Sequence, residues 1–198
     1  MRRQALMSGL LIGLGAAGFL ALGGIPGAII FAFGLIGVVL TKFPLYTGKA
    51  GSLDFKRSWK LLEIWFWNVV GCVLVGLLLK FSNAGYLANA ETIVEGRLSA
   101  GILPAFLRAI GCGLIIDIAV WMSKTYESIL PVVFGVPLFI LCGFYHSIAD
   151  VVYLVAAWNW DPDILWYYPA IFLGNYVGCN VRRLILPLSN RFKPILEI

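Results

Sequence analysis

Gly143-Phe144-Tyr145-His146-Ser147-Ile148-Ala149-Asp150 is the stretch on which the reading of this chain turns. His146 is the only histidine, and apolar runs flank it at 132–142 and 151–157. The surroundings are those of a membrane protein: 61% of the residues are apolar, 13% are charged, and the mean hydropathy is +0.91. A soluble domain carries about 25% charge. The apolar runs are continuous and close to the ~20 residues a helix needs to cross a bilayer, which favours helical spans over the short alternating strands of a barrel. An ionisable group at that depth costs about 2.5–3.5 kcal/mol. Asp150 adds a second, four residues on. A segment that bears this cost has something polar passing beside it.

Working outward, the spacing predicts a single transmembrane domain over 1–198 with six spans. The first is 4–23. The second begins at 26–41 and is broken at 42–51, where proline, glycines and two lysines cannot continue a lipid-facing helix, and a short helical remnant is expected from Ser52. The third is 59–80, followed by a polar connection at 82–99, and the fourth is 101–122. The fifth begins near Ile129, is broken at 143–147 and resumes to Trp158; the sixth is 165–188. Arg2, Arg3, Lys56, Arg57, Lys60, Lys124, Arg191 and Lys193 then share one side, and Glu91, Glu95, Asp161 and Asp163 the other. The positive-inside rule places both termini in the cytoplasm of a cell (inner) membrane. The run 5–22 after Arg2-Arg3 reads as the first span, because it is long for a signal sequence and no Ala-x-Ala site closes it.

The net charge of +5 belongs to span ends and does not suggest nucleic acid. Cys72, Cys112, Cys142 and Cys179 lie in apolar runs with no Cys-x-x-Cys or Cys/His cluster, so neither a metal, a cofactor nor a disulfide framework is expected. Asp117 is a third ionisable group at membrane depth. Arg108, nine residues earlier, is too far along one helix to pair with it, and Lys42 or Lys49 is the expected cross-helix partner.

Asn68-Val69-Val70-Gly71-Cys72 matches Asn175-Tyr176-Val177-Gly178-Cys179, and a broken helix precedes each copy. This predicts two inverted three-helix repeats, about 1–81 and 100–190, with broken second and fifth helices and a path where the breaks meet.

The histidine stretch resembles the signature of the formate/nitrite transporter family, in which Gly-Phe-Glu-His-Ser-Ile-Ala-Asn is typical. Leu45-Tyr46-Thr47, Phe31 to Ile36, Ala119-Val120-Trp121-Met122-Ser123 and Gly174-Asn175 resemble other parts of the family in order and spacing. The resemblance implies an all-α, aquaporin-like fold, a homopentamer with one pore per protomer, and passage of small monovalent anions or their conjugate weak acids. It implies apolar constrictions at Phe31, Leu35, Leu45 and Phe139, polar contacts at His146, Thr47 and Asn175, and a vestibule cation at Arg97. Tyr145 stands where the family usually has glutamate, Asp150 where it has asparagine, and Gly113 where it has asparagine.

The chemistry of such a pore follows from Born energies. A bare anion crosses an apolar slit at a cost of many kcal/mol. A cationic vestibule raises its local concentration, and a proton makes it neutral. Histidine, with a reference pKa near 6.5, suits the role of proton donor or electrostatic partner. The competing reading of His146 is a hydrogen-bonded tie between helices. Asn68 reads as a pin for a broken helix, and Asn175 either as a pin or as a pore contact. A pore for small neutral solutes on the same architecture is the alternative function, although no Asn-Pro-Ala loop is present. An intramembrane hydrolase would need a serine partner for His146; no Gly-x-Ser-x-Gly accompanies it, and Ser147 is badly placed.

Overall fold

A computed structural model describes residues 1–52 and 59–186. Among these residues every regular element is helical: α1 (Arg2–Leu22), α2 (Gly24–Thr41), α3 (Tyr46–Ala50), α4 (Trp59–Phe81), α5 (Leu87–Leu98), α6 (Ile102–Thr125), α7 (Leu130–Leu141), α8 (Ser147–Ala157) and α9 (Ile164–Ile185). Four of them, α1, α2, α4 and α6, are each long and apolar enough to cross a membrane unaided. The shorter apolar pair α7 and α8 flanks the histidine break, and the 22-residue α9 carries Asn175, Asn180, Arg182 and Arg183.

The contact seams are built from small residues. A side chain on Gly9 would collide with the Asn68 carbonyl, and one on Gly71 with the Leu6 carbonyl, so α1 and α4 touch backbone to backbone. The same pattern recurs in the second half, where Gly113 meets the Asn175 carbonyl and Gly178 the Ile110 carbonyl, joining α6 to α9.

Two elements differ from the sequence expectation. The connection at 82–99 is not irregular: α5 forms within it, burying Ala90 and Val94, one turn apart. Asn89 donates to the Leu20 carbonyl at 2.8 Å and ties its first turn to the end of α1. The first break is also shorter than its composition suggests. The chain leaves α2 through Lys42, whose φ of 59° is left-handed, and is helical again by Tyr46 rather than Ser52. An early restart is possible because a side chain from α4 accepts the first free N–H of α3. The expected cations Lys56, Arg57, Arg191 and Lys193 lie outside the described residues.

Candidate functional site

Both breaks are held by one device. Asn68 Oδ1 accepts from the Tyr46 N–H at 2.8 Å, while its Nδ2 donates to the carbonyls of Pro44 (3.1 Å) and Ala5 (2.7 Å). Asn175 Oδ1 accepts from the Ser147 N–H at 2.8 Å, while its Nδ2 donates to the carbonyls of Tyr145 (2.9 Å) and Ala109 (2.8 Å). One turn further on, Cys72 Sγ donates to the Gly9 carbonyl and Cys179 Sγ to the Gly113 carbonyl. Each asparagine therefore closes backbone groups that the break leaves open, in a place where water cannot serve them. Both asparagines are fully buried, and every polar side-chain atom of Asn175 bonds to backbone.

The break residues that remain project towards each other. Thr47 Oγ1 and His146 Nε2 are 3.2 Å apart, with both side chains buried. The other ring nitrogen of His146 is committed. As the N-cap residue of α8 it accepts the Ala149 N–H at Nδ1, at 3.1 Å. A nitrogen that accepts carries no proton, so the neutral ring holds its proton on Nε2 and donates from there. Charging the ring would put an N–H at Nδ1 against the Ala149 N–H, at a helix N-terminus whose dipole already disfavours a cation.

Apolar residues bracket this pair. Phe31 and Phe139 meet edge to face with centroids 5.9 Å apart, and Phe139 also lies 6.0 Å from the His146 ring. Phe31, Leu35 and Leu45 are at most 2% exposed. A cavity of about 290 Å³ reaches Phe31, Phe139 and His146 from the α5 end, with Arg97 and Arg108 in its wall. A second cavity, of about 510 Å³, reaches Leu35 and Leu45 from the opposite end, where α2 and α6 terminate.

Arg97 lies in the first cavity, yet its charge is spent. It forms an ion pair with Asp150, whose other oxygen accepts from the Tyr167 hydroxyl at 2.7 Å. The Arg97 guanidinium lies over the rings of Tyr145 (4.6 Å) and Tyr153 (5.1 Å). Tyr145 thus gives Arg97 an aromatic platform, and Asp150, in the first turn of α8, supplies its carboxylate. Of the two arginines in this wall, the one without an acidic partner among the described residues is Arg108, which donates to the Tyr145 hydroxyl at 2.6 Å. Sequence reasoning weighed Arg108 only against Asp117 and missed it here. Nothing in the local pattern carries it across to Tyr145, 37 residues away.

The partner of Asp117 is neither Lys42 nor Lys49 but Arg182. Asp117 Oδ2 and Oδ1 accept from Arg182 Nε (2.6 Å) and Nη2 (3.3 Å) in a bidentate pair. The reason is helical phase. Ala109, Gly113 and Asp117 face α9 at four-residue spacing, and Arg182 lies one turn beyond Cys179 on the face that meets them. Lys42 and Lys49 instead line the second cavity. No group of three or more metal-ligating side chains occurs among the described residues.

The formate/nitrite transporter family profile matches residues 2–186. A Bacillus subtilis (strain 168) protein named Uncharacterized transporter YrhG is 30% identical over 182 residues, which is 80% of this chain and 68% of that protein. Formate channel BtFdhC of Bacillus thuringiensis is 27% identical over 77% of this chain and 67% of its own length. A solved structure titled Pentameric formate channel with formate bound superposes with a TM-score of 0.80 over 92% of each chain, at 21% identity.

Proposed function

The chain belongs to the formate/nitrite transporter family, and from that membership we propose that it passes small monovalent anions of the formate, nitrite and hydrosulfide class, or their conjugate acids, through a pore in each protomer of a homopentamer. Named relatives are channels and transporters, not enzymes. The pore of this reading lies in a multi-pass cell-membrane protein with both termini cytoplasmic, and two inverted half-repeats meet at its centre. The observation that carries the reading is the Thr47–His146 contact, which joins the two breaks between an aromatic and an aliphatic constriction.

The hydrogen bonds of His146 supply the mechanism. The permeant meets a neutral ring that donates from Nε2, with the Thr47 hydroxyl beside it. A neutral imidazole gives up no proton to a carboxylate or nitrite. The proton that neutralises the permeant therefore comes from hydronium in the water-filled mouth, leaving water, and returns to water on the far side. His146 and Thr47 replace the hydration the permeant loses at the centre, and Asn68 and Asn175 position the half-helices that carry them. Phe31, Phe139, Leu35 and Leu45 exclude water and hydrated ions. Arg97, neutralised by Asp150, braces Tyr145, and Arg108 is the cation that draws anions to that mouth.

Formate flux into proteoliposomes across a pH series tests this. Above the pKa of the permeant its acid fraction falls about tenfold per pH unit, so flux falls in proportion as pH rises, with no added inflection where a histidine titrates. His146→Phe lowers flux about 10- to 100-fold, the cost of leaving a polar atom of the permeant without a partner in a water-excluded site. Flux through that variant equal to wild type at every pH overturns the role of His146. Water or urea permeation with no anion flux replaces the reading by a neutral-solute pore.

A further inference from the structure

The helix that carries Thr47 is too short to hold itself. α3 has five residues, far fewer than a helix needs to persist on its own hydrogen bonds. Asn68 accepts its first N–H. Its other end leaves carbonyls without partners in the helix, and these meet α9. Cys179 Sγ donates to the Thr47 carbonyl at 3.2 Å. Asn180 Nδ2 donates to the Ala50 carbonyl at 3.3 Å and to the Tyr176 carbonyl of its own helix at 2.9 Å. Gly51 follows, packed so closely that a methyl group on it would collide with the Cys179 carbonyl and with Asp117 Oδ1. That carboxylate is held in place, because Arg182 binds both of its oxygens and itself lies over the Trp121 ring at 5.2 Å.

The repeat supplies an independent contrast. Counted from Asn175 and Asn68, the positions of Asn180 and Arg182 in α9 match Val73 and Val75 in α4. α4 faces α8, which has 11 residues and packs on it by apolar contact; a methyl group on Gly76 would meet the Val155 side chain. α9 faces the five-residue α3. The copy that carries an amide and a guanidinium in place of two valines is the one that meets the short helix.

We infer that Cys179, Asn180 and the Asp117–Arg182 pair clamp the C-terminal end of α3 and so position Thr47 against His146. The inference rests on the anion-pore reading and adds to it a set of positioning residues that act through Thr47. α3 is then fixed at both ends, by α4 at the first and by α9 at the last. Release of the last end lets α3 turn about the Asn68 bond, and the 3.2 Å approach of Thr47 Oγ1 to His146 Nε2 goes with it.

The test gives Asn180 the residue of its twin. In the full chain Asn180→Val lowers maximal formate flux into proteoliposomes about 2- to 5-fold, the order of one neutral hydrogen bond, with KM unchanged. In a Thr47→Val background the same substitution lowers flux no further, because the contact it positions is already gone. Asp117→Leu/Arg182→Met shows the same dependence on Thr47. Hydrogen exchange of the solubilised chain, read by mass spectrometry, speeds up over 46–52 in both variants and is unchanged over 147–157. An equal loss of flux with and without Thr47 reduces these residues to packing and overturns the inference, as does unchanged exchange over 46–52. Wild-type proteoliposomes that pass no formate overturn the pore reading, and the exchange over 46–52 then decides the clamp by itself.

Discussion

The break that carries Thr47 and the break that carries His146 share a scaffold and differ in chemistry. In both, an asparagine accepts the first N–H of the half-helix and donates to the carbonyl two residues before it. In both, a cysteine one turn along the same helix bonds the next carbonyl of its neighbour. The residue that caps the half-helix is Leu45 in the first half and His146 in the second. One position therefore presents an aliphatic side chain in one half and an imidazole in the other. The next rung of the seam differs too. The first half packs Gly13 against Val75, and the second pairs Asp117 with Arg182. The backbone needs of a broken helix are the same wherever it occurs, whereas the side chain the break presents is free to diverge.

The largest effect comes from the rung that is unlike its twin. Asp117→Ala leaves the Arg182 guanidinium buried without a counter-charge, a loss of about 3–5 kcal/mol, read as a lower thermal midpoint in detergent. The double change Asp117→Leu/Arg182→Met, which makes this rung apolar like Gly13/Val75, recovers most of that loss. If the double variant is no more stable than the single one, the ion pair has a role beyond its own neutrality.

The shared device comes next. Asn68→Ala and Asn175→Ala each orphan an N–H and two carbonyls, at a cost of about 3 kcal/mol. The two midpoints fall by similar amounts. A clear difference between them breaks the equivalence of the two pins.

The smallest effect separates the polar partners. Thr47→Val removes one neutral hydrogen bond, worth about 0.5–1.5 kcal/mol, and lowers formate flux roughly 2- to 10-fold with the midpoint unchanged. A loss as large as that of His146→Phe would make the hydroxyl, not the ring, the principal contact.

Much of the fold was legible because it rests on local pattern. Continuous apolar runs marked the spans, the Asn-x-x-Gly-Cys match marked the repeat, and proline and glycine marked the breaks. The amphipathic signal of α5, Ala90 and Val94 at four-residue spacing, was present but lay within a polar segment that composition alone assigns to a connection. Thr47 and His146 were legible as a pair because each stands at a break, and breaks meet in a repeat of this kind. The partners were not. Arg182 for Asp117, Asp150 for Arg97 and Arg108 for Tyr145 are separated by 65, 53 and 37 residues, and no spacing rule reaches across helices.

What this sequence determined by itself is an all-helical membrane protein with two broken helices, a histidine at one break and the family that goes with it. Length, hydropathy and backbone hydrogen-bonding demands are properties of each segment alone. The tertiary structure alone decided which charges are spent and which remain. That Arg97 is neutralised while three lysines at the opposite mouth have no ion pair among the described residues, and that Asn175 bonds the backbone of the second break, follows from helix phase and close packing. Both set the few ångströms over which ion pairs and hydrogen bonds form.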